Sequence, residues 1–452
     1  MWTVASLSAD LAAGRTTSVQ LVQAALERIA DPQGEGARTF TATYAKTALA
    51  EAALSDQLRA AGICRSPVEG LPVSVKDLYD VAGDVTRAGS KALRGASPAA
   101  HDAPVVARLR AAGAVLVGRT NMVEFAFGGV GLNPHYGTPK NPFDRQTGRV
   151  PGGSSSGAAV SVADAMCVMA LGSDTRGSVR LPAALCGVSG FKPTASRIPR
   201  AGAFPLSYTL DSVGPLANSV ACCAIFDAIL AGATPQLPQA LPLSGLRFMV
   251  PECSLLDALD PIVAQAFERA LQTLSKAGAN IQRVPTPLLT QAQTFFNNGG
   301  FAGAEAWQIH RGILAQHAAE YDPRVSSRVV LGQQFAAGDY IQLGLDRAVL
   351  IQQARALTAP FDALLFPTAA ATAPSISEAQ ASDEAYVQWN MRLLRNTGIA
   401  NILDACEATV PCQSPGAAPV GLSVMGMGGS DAQILAIAQS IEQTLTSLTA
   451  RH

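Results

Sequence analysis

The chain has 452 residues, enough for anything from one large α/β unit to three domains, and at 48% hydrophobic against 15% charged it excludes disordered and fibrous classes. Its 33 basic and 34 acidic residues leave a formal net charge of −1, so no global field draws in nucleic acid or an acidic membrane surface. Apolar runs such as Ala165–Leu171 fall far short of the roughly 20 residues that span a bilayer.

In chain order, Thr17-Ser18-Val19-Gln20 has capping-box spacing, and Val22, Leu26 and Ile29 follow on one helical face. The first sixty residues or so are therefore expected to be helical. The stretch opening MWTVASLSADLAAGRTTS carries neither a basic leader nor a long apolar core, so no signal peptide is read and a cytoplasmic chain is expected. Val73, Val75 and Leu78 mark a core strand around Lys76. Val105, Leu109 and Ala112 then lead through Gly113 to the strand AVLVG, and Val263, Phe267, Leu271 and Leu274 lead through Gly278 to NIQRV. The strand LRFMV before that second helix completes a β-α-β pattern, and ALLFP and VGLSVMG add two core strands. Ser430-Asp431-Ala432-Gln433 is expected to cap a last helix carrying Ile434, Ile437 and Ile441.

This succession predicts an α/β fold: a single domain with a central mixed, largely parallel sheet covered by helices on both faces. No linker or repeat divides it. Between residues 128 and 219 the composition shifts to glycine, serine and alanine, which implies close backbone packing.

Eight cysteines lie scattered without C-x-x-C pairing and five histidines without H-E-x-x-H spacing, so neither a metal site nor a cofactor is expected, and the thiols read as reduced and mostly buried. The loop Pro151–Gly157 lacks the lysine of a phosphate loop. It matches a G-x-S-x-G elbow around Ser155, although His310, His317 and His452 stand in no recognisable triad context. Ser189-Gly190-Phe191-Lys192 matches S-x-x-K without its companion motifs and reads as chance.

Three stretches carry more weight together: GLPVSVKDLYD at 70–80, PGGSSSGAAVSVA at 151–163 and LGSDTRGSVRLPAALCGVSGFKPT at 171–194. They resemble the amidase signature family of serine hydrolases, in its stand-alone amidase type, and TLDSVGPLANS, FDALLFPT and APVGLSVMG extend the resemblance over nearly the whole chain. The resemblance implies a helical segment over about residues 1–60, a signature core over about 66–220 and a variable substrate-side segment over about 255–400. It implies a Ser-cisSer-Lys triad of nucleophile Ser178, bridging Ser154 and base Lys76, with a cis peptide before Ser154 that Gly152 and Gly153 accommodate. Lysine acts as a base only if burial pulls its pKa below about 10.4. A surface lysine paired with Asp77 or Asp80 is the alternative for Lys76.

The resemblance further assigns the oxyanion to backbone N–H groups of Thr175, Arg176, Gly177 and Ser178. Asp174 and Arg180 are expected as a buried pair shaping that loop. Phe127, Gly128, Gly129 and Val130 belong to a loop similar to the family's substrate side, whose aromatics line a pocket or join the core. Arg176 departs from the family, which commonly has glycine there; its guanidinium either holds a substrate carboxylate or pairs with a structural acid. The expected activity is hydrolysis of a small carboxamide to a carboxylic acid plus ammonia or amine through a Ser178 acyl-enzyme. The expected partner is thus a small-molecule amide, with no nucleic acid and no membrane, and a homodimer is allowed. Alternatives are a partner-dependent glutaminase, a carboxybiuret-type hydrolase subunit of a complex, and an inactive binding protein on the same fold. The segment 196–219 reads closer to stand-alone amidases or carboxybiuret-type hydrolases than to a tRNA-dependent subunit.

Overall fold

A computed structural model describes residues 2–449. Eleven strands form one sheet: β1 (Phe40–Thr43), β2 (Pro72–Lys76), β3 (Val115–Thr120), β4 (Met169–Asp174), β5 (Ser189–Lys192), β6 (Ser212–Ala217), β7 (Arg247–Glu252), β8 (Asn280–Pro285), β9 (Ala363–Pro367), β10 (Cys406–Pro411) and β11 (Gly421–Gly426). Their spatial order is β1-β3-β2-β4-β6-β5-β10-β11-β9-β7-β8. The sheet is mixed, as expected, but "largely parallel" holds only near its two ends. β3-β2-β4 and β9-β7-β8 are parallel, and the remaining six of ten pairings, including the whole centre, are antiparallel. The β-α-β periodicity seen in sequence belongs to those flanks; the central strands arrive by connections that reverse the chain.

Alternation along the strands separates two covered faces. Leu116, Met169 and Leu171 join one apolar cluster with Val73 and Val75, while Val115, Val117 and Ala170 join another with the helix Ser156–Ala163. At the other end, Phe248 and Val250 face the first cluster, and Met249, Leu364 and Phe366 a third. Helices cover both faces. Among the early elements, the helix Ser18–Ala30 carries the expected Thr17/Gln20 capping box with Val22 and Ile29 buried, although β1 interrupts the expected helical stretch. Ile434, Ile437 and Ile441 are buried on the helix Asp431–Thr449, whereas the Ser430 hydroxyl donates to the Met427 carbonyl.

Two features of this frame position a site. β2 and β4 lie side by side and parallel, Val75 opposite Leu171, so Lys76 at the end of β2 and the loop after Asp174 emerge at one edge. The helix Ser156–Ala163 packs closely against the chain just before β1 and just after β3 because its side chains are small: a Cβ on Gly157 would lie 2.3 Å from the Thr39 carbonyl oxygen and 2.8 Å from the Asn121 backbone.

Candidate active site

Residue alternation puts Lys76 on the face of β2 opposite Val73 and Val75, towards the helix Ser156–Ala163. It is fully buried, and its Nζ donates to Ser154 Oγ at 2.7 Å and Ser173 Oγ at 2.9 Å. Burial pulls its pKa from 10.5 down to about 7, against the opposing attraction of Asp174 and Asp211. The surface alternative is thereby set aside, and Asp77 instead pairs with Arg119 at 2.9 Å.

Ser154 follows a cis Gly153–Ser154 peptide. Its carbonyl accepts from the Val123 N–H, Gly153 N–H donates to Gly129, and Ser155 N–H donates to the Ser178 carbonyl. These bonds fasten the segment 153–155 to the neighbouring loops. The hydroxyl of Ser178 makes no hydrogen bond to another described residue and faces a cavity of about 200 Å³. Lys76 and Ser154 are fully buried and lie off the cavity wall.

The loop from Asp174 to Ser178 is shaped by a buried charge network. Arg180 grips Asp174 through Nε at 3.0 Å and Nη2 at 2.8 Å, and reaches Glu407 Oε2 at 2.7 Å from β10. Asn401 and the Thr397 carbonyl complete its donors. Burial works to raise the Asp174 carboxyl, but the adjoining guanidinium outweighs it and holds the acid well below the usual carboxylate range. Asp174 also accepts from the Gly177 N–H at 2.7 Å and the Val179 N–H at 3.0 Å. Gly177 therefore differs from its expected part, because its donor already serves the carboxylate. The N–H groups of Thr175, Arg176 and Ser178 make no hydrogen bond within the described chain. Gly177 adopts φ +122°, and a Cβ there would lie 2.0 Å from Thr397 Oγ1. That hydroxyl in turn donates to the Arg176 carbonyl at 2.7 Å.

The expected substrate-side loop divides. Phe127 and Gly128 line the cavity, while Gly129 lies off it, bonded to Asn390 and Gly153. Val130 is fully buried in an apolar cluster with Leu181 and Leu185, so it belongs to the core rather than the substrate side. Phe125, at φ +51°, turns inward against His310 and Tyr321. Arg176 faces the cavity and no acid pairs with it: its Cζ stands 4.0 Å from the Phe296 ring centroid, and Nη1 points at Met391 Sδ. Burial and the charge of nearby Arg328 lower its pKa to about 10, which leaves it cationic at neutral pH.

Sequence reasoning missed Ser173, Thr397, Asn401, Glu407, Phe296 and Arg328. Ser173 lies inside a quoted stretch and offered a signal as the other hydroxyl near Asp174; the rest come from distant segments. The decoys dissolve. Ser155 Oγ donates to the Ser173 carbonyl, Ser189 donates to Glu442, and buried Lys192 donates to the carbonyls of Pro193 and Ala405. His310 bonds Tyr321, His317 bonds Glu320, and His452 lies outside the described residues.

Residues 20–435 match the family model described as Amidase. The chain belongs to the amidase family. This amidase is 38% identical over 449 residues to the 2-amino-5-chloromuconic acid deaminase of Comamonas testosteroni, covering 97% of this chain and 95% of that protein. It is 35% identical to the 1-carboxybiuret hydrolase subunit AtzE of Pseudomonas sp. strain ADP, covering 81% of each. A crystal structure of an amidase superposes with a TM-score of 0.87 at 32% identity, over 98% of this chain and 99% of that one. The protein is accordingly a hydrolase acting on amide C–N bonds, and its mixed α/β fold is that of amidase structures. Among the described residues no helix is long and apolar enough to cross a membrane.

Proposed function

We propose that this amidase cleaves a small carboxamide through an acyl-enzyme on Ser178. The observation carrying this reading is the buried Lys76, with its pKa near 7, bonded to Ser154, whose neighbour Ser155 in turn bonds the backbone of the cavity-lining Ser178. Ser178 Oγ attacks the amide carbonyl carbon as its proton passes to Ser154 Oγ, whose own proton passes to neutral Lys76 Nζ. Contact with substrate closes the Ser178–Ser154 link. The carbonyl oxygen takes the negative charge and is stabilised by the N–H groups of Thr175, Arg176 and Ser178. The proton on Lys76 returns through Ser154 to the leaving nitrogen, the C–N bond breaks, and ammonia or an amine departs. Water then attacks the ester carbon, giving up its proton along the same route, and the carboxylic acid leaves with Ser178 regenerated.

The relatives' names describe small nitrogenous acids, an amino-substituted chloromuconic acid and 1-carboxybiuret, which supports a compact, polar substrate. A serine-directed fluorophosphonate is expected to label Ser178, and Ser178→Ala to abolish labelling and turnover. Labelling of Ser155 with histidine dependence would overturn the assignment. Several relatives are named as subunits, AtzE and the glutamyl-tRNA(Gln) amidotransferase A subunits among them, so a second reading is a chain that works in a complex. Turnover of small amides by the purified chain alone would exclude dependence on a partner.

A further inference from the structure

We infer that the cavity in front of Ser178 holds a carboxylate borne by the substrate, gripped between the guanidinium groups of Arg176 and Arg328. This deepens the acyl-enzyme reading and rests on Ser178 as the reacting group. Both arginines line the cavity with Ser178, and no aspartate or glutamate does. Half-buried arginines such as Arg108 and Arg347 give their donors to backbone carbonyls, while the fully buried ones have carboxylates: Arg119 has Asp77, and Arg180 has Asp174 and Glu407. Arg176 and Arg328 have none.

Arg176 is held in place by an aromatic face and a sulfur, and its Nε is buried without a hydrogen-bond partner. Arg328 donates through Nε to the Arg324 carbonyl and through Nη2 to the Phe127 carbonyl, which leaves Nη1 without a partner among the described residues. Two like charges sharing a largely apolar cavity repel, and a buried donor without a partner costs free energy. A carboxylate between them removes both costs, because its oxygens match the fork geometry of guanidinium groups.

Position narrows the class further. Arg176 sits two residues before Ser178 in one tight loop. The structure therefore assigns a short amide whose free carboxylate lies within a few bonds of the scissile carbonyl.

The test is binding rather than turnover, in a Ser178→Ala background, using straight-chain dicarboxylates of three to six carbons as probes. At least one is expected to raise the melting temperature in a concentration-dependent, salt-sensitive way. Adding Arg176→Gln, and separately Arg328→Gln, is expected to weaken its Kd by about ten- to a hundredfold, the loss of one charge-assisted contact. Arg176→Lys should restore part of the affinity, and far-UV circular dichroism checks that each variant is folded. Absence of binding across the series, or binding that survives removal of both arginines, overturns the inference. Because Ser178→Ala binds without reacting, either result stands apart from the labelling experiment that judges the acyl-enzyme.

Discussion

Lys76 is enclosed between the sheet and the helix Ser156–Ala163 with two hydroxyls as hydrogen-bond partners and no carboxylate in direct contact. Its ammonium form therefore loses hydration without an ion pair to replace it, and the neutral amine persists near pH 7. As the proposed base, Lys76 must be neutral, so kcat/KM is expected to rise with pH through about 7 and then level off. The effect on stability has the same direction. The unfolded chain keeps this proton up to its ordinary pKa of 10.5 while the folded chain gives it up at about 7. Stability from this group thus rises with pH between those values, and the full penalty is felt below the lower one. Lys76→Met should be inactive yet melt above wild type at pH 6, with the gap narrowing towards pH 10. The relieved penalty of about 5 kcal/mol at pH 6 is offset by two lost hydrogen bonds of about 1 kcal/mol each, leaving a net gain of order 3 kcal/mol. Thermal melts of both proteins across this pH range check the sign.

The loop between β4 and the helix Arg180–Cys186 orients the N–H groups of Thr175, Arg176 and Ser178 by spending others on Asp174. Its backbone path is set by Gly177, where a positive φ and the proximity of Thr397 leave no room for a side chain. Gly177→Ala would push Thr397 away from the Arg176 carbonyl it holds and shift the neighbouring donors together. A loss of about 10²- to 10³-fold in kcat is expected, the usual effect of a displaced oxyanion donor. Retained secondary structure by far-UV circular dichroism would assign the loss to the loop. An alanine variant with kcat within threefold of wild type would show that the loop's path does not depend on this glycine.

Over the whole molecule, the site draws on segments hundreds of residues apart. β2 and β4 supply the edge, the glycine-rich segment supplies Ser154, and the region from 296 to 394 supplies Phe296, Arg328, Asn390 and Met391 as cavity wall. Among the described residues no cluster of three or more His, Cys, Asp or Glu side chains is arranged to hold a metal ion. Every proton and charge in the proposed cycle is handled by Lys76, serines and backbone N–H groups. Prolonged chelation is accordingly expected to leave kcat unchanged, and a loss restored by zinc or manganese would refute a metal-independent cycle.

Local order was legible in the chain. The capping box at Thr17, the apolar faces of the helices Ser18–Ala30, Pro104–Ala111 and Pro261–Lys276, and the strands β2, β3, β7, β8, β9 and β11 follow from spacing between near neighbours. The stretches around Lys76, Ser154 and Ser178 were readable through their resemblance to family motifs, whereas the contacts that shape them, from Val123, Gly129, Thr397, Asn401 and Glu407, come from distant segments. β4, β5 and β6 were not readable as strands. MALGSD, SGFK and SVGPLA are rich in Gly, Ser and Pro, poor strand formers on their own, and hold as strands because neighbours bury them on both faces. The antiparallel centre of the sheet, the Glu407 partner of Arg180 and the desolvation of Lys76 also required the folded chain. Strand direction and the loss of water depend on which distant segments meet. Arg176 shows this most directly: its two readings had the same local sequence, and the absence of any acid from its cavity wall is a fact of tertiary packing alone.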